Sequence, residues 1–221
     1  MISQPLLLLR LEGPLQSWGL RARWDIRDSG SEPSKSGLIG LLGCALGYGL
    51  YDPRLEELDR QFTLGVRVEN PGRQMVDYHT IFERSIISPR TYLQDAAFLA
   101  VFTGPEELLQ KCRNALANPH WPIYLGRKSC PSTRPVLEGL IYEYASIKEA
   151  LQNYPWDWEA KDCLKKLPDK LYCIIEDPEG AAQRPDRIRV NPARMYDNRR
   201  VSVFWTKFPG VKEVSPCTSP A

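Results

Sequence analysis

The sequence predicts an α+β domain with the ferredoxin-like order strand, helix, strand, strand, helix, strand, and three observations carry the prediction. Strand-length apolar runs stand at Leu6–Leu9, Phe62–Val68 and Tyr92–Phe102. Stretches of helical period lie between and after them, and turn-forming pairs such as Gly13-Pro14, Pro71-Gly72 and Asn118-Pro119 separate the two kinds of segment. With 221 residues, 43% hydrophobic and 25% charged, the chain has ordinary globular proportions, enough for one compact domain or two small ones. No apolar run approaches the roughly 20 residues that span a bilayer. Met1–Glu12 carries neither a basic leader nor a small-residue cleavage site, so the expectation is a cytosolic protein without a membrane partner. The cysteines at 44, 112, 130, 163, 173 and 217 form no C-x-x-C pair and no zinc-ligand spacing with His79 or His120, so free thiols and no metal are expected.

Each element has its local reason. Pro5–Glu12 is a central strand stopped by Gly13-Pro14, and Gln16–Ser36 is a long loop of aromatic, basic and small residues. Ser34-Lys-Ser36 caps a helix over about 37–47, whose apolar positions include Leu38, Leu41, Leu42 and Ala45. Gly37, Gly40, Gly43 and Gly47 lie near one face of that helix, which admits either tight packing or a ligand. A polar helical stretch reaches Asp59, and strand Phe62–Val68 is expected to form a hairpin through Asn70-Pro-Gly72 with strand Gln74–Ile81. An arm at about 82–92, with Arg84, Pro89 and Arg90, leads into a strand over Tyr92–Phe102. Gly104-Pro105 opens a second helix with a stripe at Leu108, Leu109, Cys112 and Leu116, and a short strand is expected at Pro122–Leu125. The resulting domain covers 1–145. Residues 146–221 read as a smaller, β-rich unit with a helix through Leu151, strands at Leu171–Ile175 and Val201–Trp205, and a fraying tail.

The net charge of +2 hides a bias: 19 of the 29 basic residues are arginines, the side chain suited to bidentate phosphate contacts and to stacking on bases. Six arginines between Arg184 and Arg200 face two aspartates, whereas Glu143–Glu179 carries nine acids against five lysines. Segregation of this kind fits a polyanion footprint or merely charged loops on opposite faces. The loop with Trp18, Arg21, Arg23, Trp24 and Arg27 interleaves flat surfaces with cations, as binding to unpaired bases requires, although either tryptophan could equally anchor the loop in the core. Gly126, Arg127, Lys128 and Ser129 follow a strand as a phosphate-gripping turn would, or as a solvated one.

Nucleotide fingerprints and hydrolase motifs are absent: Gly37-x-x-Gly40-x-x-Gly43 is neither G-x-G-x-x-G nor a P-loop, and no G-x-S-x-G or H-E-x-x-H occurs. No cofactor is therefore expected. Tyr78, His79 and Lys128 could together activate a ribose 2′-hydroxyl for metal-free RNA cleavage. Against this, neighbouring strand residues point to opposite faces, so Tyr78 and His79 would not meet at one atom.

Five blocks, Leu8–Gly19, Ser34–Gly43, Asp77–Thr80, Arg90–Phe98 and Pro122–Pro131, resemble in sequence and order the CasD family of type I-E CRISPR Cascade subunits. That resemblance covers about the first 135 residues and implies an RNA-recognition-type fold with a protruding thumb between strands, here the arm. It implies a non-catalytic subunit that holds the 5′ handle of CRISPR RNA, bridges the backbone and large subunits, and meets target DNA through the assembled complex. Carried onto this chain, the handle would lie against Trp18, Arg21, Arg23 and Arg27, the Lys35-Ser36 helix start, the Tyr78-His79 strand, Arg90 and Tyr92, and Arg127-Lys128. Related type I-C proteins are themselves repeat-cutting endoribonucleases, which keeps metal-independent cleavage as the alternative.

Overall fold

The computed structural model describes residues 4–19, 27–81, 86–156, 168–190 and 195–210. In chain order the elements are β1 (Leu6–Glu12), β2 (Leu15–Gln16), α1 (Lys35–Leu46), α2 (Arg54–Gln61), β3 (Thr63–Asn70), β4 (Arg73–Ile81), β5 (Ile86–Gln94), β6 (Ala97–Thr103), α3 (Glu106–Ala117), β7 (Leu137–Ile141), α4 (Ile147–Asn153), β8 (Lys170–Glu176), β9 (Ala182–Arg189) and β10 (Met195–Lys207). Seven strands form one sheet in the order β7-β1-β6-β3-β8-β10-β9, and β2-β5-β4 form a second. Within the large sheet, β7-β1-β6-β3 with α1 and α3 as crossovers is the expected ferredoxin-like core. No described helix is long and apolar enough to cross a membrane.

β1 reads as an unbroken apolar run because both of its faces are covered. Leu7, Leu9 and Leu11 pack with α1 and α3 residues such as Leu38, Leu42 and Leu109, while Leu6 and Leu8 pack on the other face with Ile147 and Leu151 of α4. The second face also buries charge. Arg10 pairs with Glu69 and, more distantly, with Glu138, and Arg67 pairs with Glu69 while its Nη1 donates to the Leu151 carbonyl at 2.8 Å, which ties α4 to the sheet.

Four expectations change. Strands 62–68 and 74–81 do not form a hairpin: β3 lies between β6 and β8, and β4 pairs with β5 in the second sheet. At the junction Gly72 has a φ of +68° and sits so close to the Gln94 carbonyl that a Cβ would overlap it, where the chain passes from one sheet into the other. The expected strand over 92–102 breaks at Asp95, which has a φ of +55°, so β5 belongs to the arm and β6 to the core. The arm is accordingly a full hairpin, paired from Arg73–Gln94 to Ile81–Ile86. At 122–125 only a bridge between Tyr124 and Pro131 forms, and β7, later in the chain, supplies the fourth core strand. Past residue 146, β8 pairs with β3 from Gly65–Ile175 to Val68–Tyr172, so the C-terminal strands extend the core sheet.

Candidate nucleic-acid interface

Three segments meet beside the start of α1. The Ser17 amide donates to the Leu125 carbonyl at 3.0 Å, and Gly126, at φ +96°, comes so close that a Cβ would overlap the Ser17 carbonyl. Only glycine fits there. Arg27 runs parallel beside β5: its amide donates to the Pro89 carbonyl at 3.1 Å and its carbonyl accepts from Thr91 at 2.9 Å. Arg127 locks the junction, donating to the carbonyls of Thr91 (3.2 Å), Arg27 (2.9 Å) and Asp28 (3.3 Å) while its guanidinium lies 4.7 Å above the Tyr92 ring centre. The segments bound a cleft of about 210 Å³ lined by Ser17, Gly19, Arg27, Asp28, Ser36, Gly126, Arg127 and, from β10, Tyr196.

Several of the residues singled out from sequence therefore converge. Arg27 and Lys128 are exposed cations at or beside the cleft, and Arg127 is a half-buried one. Because strand side chains alternate, Arg90 and Tyr92 share the face of the arm on which Arg127 stacks, together with Asp77 and His79. Ser36 lines the cleft but is buried. Arg21 and Arg23, like Trp24 and Arg84, lie outside the described residues.

Other assignments are corrected. Trp18 is 1% exposed, its Nε1 donates to Gln16 Oε1 at 3.0 Å, and Gly37 packs on its ring, so the indole anchors the loop and offers no face for a base. Lys35 is fully buried: its Nζ donates to the carbonyls of Asp59 and Phe62 and to Glu176 Oε2, all at 2.7 Å. It closes the C-terminal end of α2 and touches no phosphate site. Burial without full compensation pushes the neighbouring Asp59 carboxyl up to about 6, against the pull of Lys35 and Arg187. At this helix start the amides of Lys35 and Gly37 are taken by Asp186 (2.7 Å) and by the Ser34 cap (3.3 Å). Tyr92 is buried, with its hydroxyl 3.3 Å from Ser129 Oγ, and serves as the platform under Arg127.

Tyr78 and His79 lie on opposite faces of β4, Tyr78 70% exposed and His79 bonded to Asp77 at 2.5 Å. A joint attack on one hydroxyl is therefore not built. Arginines of the 184–200 stretch are mostly spent internally: Arg184 on Glu32, Arg187 on Glu176, Arg189 on Asp197, and buried Arg199 on Asp186. Its charge excess is not a free footprint. Ser17, Gly19, Asp28 and Tyr196 line the cleft without having been singled out from the sequence, and for Tyr196 the available signal is an aromatic set inside that arginine-rich stretch.

Comparison with known proteins bears on the family and the fold. The model of the family described as CRISPR-associated protein (Cas_Cas5) matches residues 6–202. Over 171 residues the chain is 33% identical to the CRISPR system Cascade subunit CasD of Escherichia coli, covering 67% of this chain and 76% of that protein. A crystal structure of a Cas protein, 36% identical, superposes with a TM-score of 0.74 over 96% of this chain and all of the other. A chain of a CRISPR RNA-guided surveillance complex, 29% identical, also gives 0.74, over 92% and 91% of the two chains. With a ferredoxin-like core, a β4–β5 arm and a basic cleft at its base, and with the family model spanning nearly the whole sheet, the chain belongs to the CRISPR-associated Cas5 family.

Proposed function

We propose that this chain is the CasD-type subunit of a type I-E Cascade complex, holding the 5′ handle of CRISPR RNA in the cleft between Ser17, Arg27 and Arg127 without cutting it. Its partners would be the handle, the backbone and large subunits and, through the assembled complex, target DNA. The observation that carries the reading is the convergence of Arg27, Arg90, Arg127 and Lys128 at the base of the arm, beside a cleft of about 210 Å³. Arg127 acts there as a fixed positive strut, since its hydrogen bonds are spent on carbonyls. The mobile contacts fall to Arg27 and Lys128, both exposed.

Against a nuclease stands the arm itself. His79 bonds Asp77 on one face of β4 and the tyrosine next to it faces the other way, so these two side chains do not converge on one ribose. Protein mixed with labelled repeat RNA in EDTA is expected to bind it in a salt-sensitive manner and leave it intact. The double variant Arg27→Ala/Lys128→Ala should lower the salt slope by roughly 0.7 per lost contact on single-stranded RNA. Specific cleavage that disappears in His79→Ala would instead establish the nuclease reading.

A further inference from the structure

The handle-binding reading leaves open what holds a base in the cleft, and among the described residues one partly exposed ring lines it. Among the described residues two aromatics line the cleft, Trp18 and Tyr196. Trp18 is excluded: it is 1% exposed, bonded to Gln16 and covered by Gly37. Tyr196 is 47% exposed, although it lies within the β9–β10 ladder directly opposite Ile188, which is 1% exposed. The ladder thus buries one member of the pair and leaves the aromatic one partly in solvent, at the mouth of a cleft whose other wall carries Arg27 and Arg127. Its position is set firmly: the neighbouring Asp197 pairs with Arg187 in the same ladder and meets Arg189 at 3.4 Å.

We infer that Tyr196 is a stacking platform for one unpaired nucleobase, held in the cleft while the adjoining phosphate meets Arg27. A flat aromatic face beside fixed positive charge suits single-stranded nucleic acid, because every base has a π-face and every linkage a phosphate. At about 210 Å³ the cleft is below the 300–1,000 Å³ typical of small-molecule sites, and so fits a single planar group better than a larger ligand. The platform comes from the C-terminal strands and the cations from the N-terminal core, so the extension of the sheet past residue 146 completes the site.

The inference rests on the handle-binding reading and is tested separately from it. Handle RNA would be prepared with each nucleotide in turn made abasic and titrated against wild type, Tyr196→Ala, Tyr196→Phe and Arg27→Ala. Tyr196→Ala is expected to weaken binding by about 5- to 150-fold with an unchanged salt slope, and Tyr196→Phe to stay near wild type. One abasic position should weaken binding to wild type by a similar factor and have no further effect in Tyr196→Ala. If Arg27→Ala weakens binding but Tyr196→Ala stays within twofold of wild type, or if no abasic position couples to residue 196, the stacking inference is wrong and the handle site stands. If neither variant weakens binding, the cleft reading itself fails.

Discussion

Among individual residues, the buried cations decide most. Lys35 holds two carbonyls of the α2 terminus and the Glu176 carboxylate in a fully buried site, so its removal strands buried acceptors and the Asp59 charge. Lys35→Met is expected to lower stability by about 3–5 kcal/mol in chemical denaturation. Where the variant folds, its RNA affinity should remain near wild type, because the ammonium faces inward. Asp59 adds a pH dependence with a definite sign. Its folded pKa of about 6 exceeds the unfolded value of 3.8, so its protonation favours the folded state. That contribution is complete below about pH 4 and is lost as pH rises through 6. Relative to Asp59→Asn, the wild type should therefore lose about 2 kcal/mol between pH 4 and pH 7, read as the difference in urea midpoints at the two pH values. Composition could not separate these lysines and tryptophans by role. Lys35 sits in a helix start and Trp18 in an arginine-rich loop, and only the distant partners, Glu176 for one and the packing of Gly37 for the other, reveal that both are structural.

Elements were legible where a local signal sufficed and obscure where a long-range pairing chose between equals. Ser34 caps α1 as its position before an apolar helical run predicts, and two glycines of α1 allow close packing, Gly37 against Trp18 and Gly43 against Leu55. β7 was missed because Leu137–Ile141 is short and half-buried, with the register of β1 rather than its own pattern holding it in place. β4 was paired wrongly because Asn70-Pro-Gly72 has the composition of a hairpin turn, and nothing local tells that its strands enter different sheets. The turn that shapes the cleft gives a test at this scale. Gly126→Ala adds a Cβ at positive φ against the Ser17 carbonyl, so the 124–131 turn must shift away from residues 17 and 27. Handle affinity should drop at least tenfold while the thermal midpoint falls by only a few degrees, read by titration and by a melting curve. Arg127→Lys should behave similarly though less severely, since a lysine cannot reach three carbonyls and stack on Tyr92 together.

For the whole molecule, the modest net charge of +2 is reconciled with RNA binding by how the arginines are divided. One set, in β9 and β10, is neutralised by Glu32, Glu176, Asp186 and Asp197 and holds the sheet extension together. Another set, Arg27, Arg90 and Arg127, gathers where the arm leaves the core. Two of the blocks that resemble the CasD family, Arg90–Phe98 and Pro122–Pro131, carry Arg90 and Arg127 of this second set, and the family is readable from the first 135 residues while the part played by β7–β10 is not. The sheet places Tyr196 in one cleft with Arg27 and Arg127, which lie far earlier in the chain, a juxtaposition no short sequence window contains. The central claim, that this cleft holds the handle, is tested most directly by photocrosslinking. Handle RNA carrying a single 4-thiouridine at successive positions would be irradiated with the protein in its assembled complex and the adducts mapped by mass spectrometry. The account predicts adducts concentrated in peptides containing residues 17–28, 90–92, 126–128 and 196. Adducts confined to the outer face of the arm around Tyr78, or to the α2–α3 side, with none in those peptides, would contradict it.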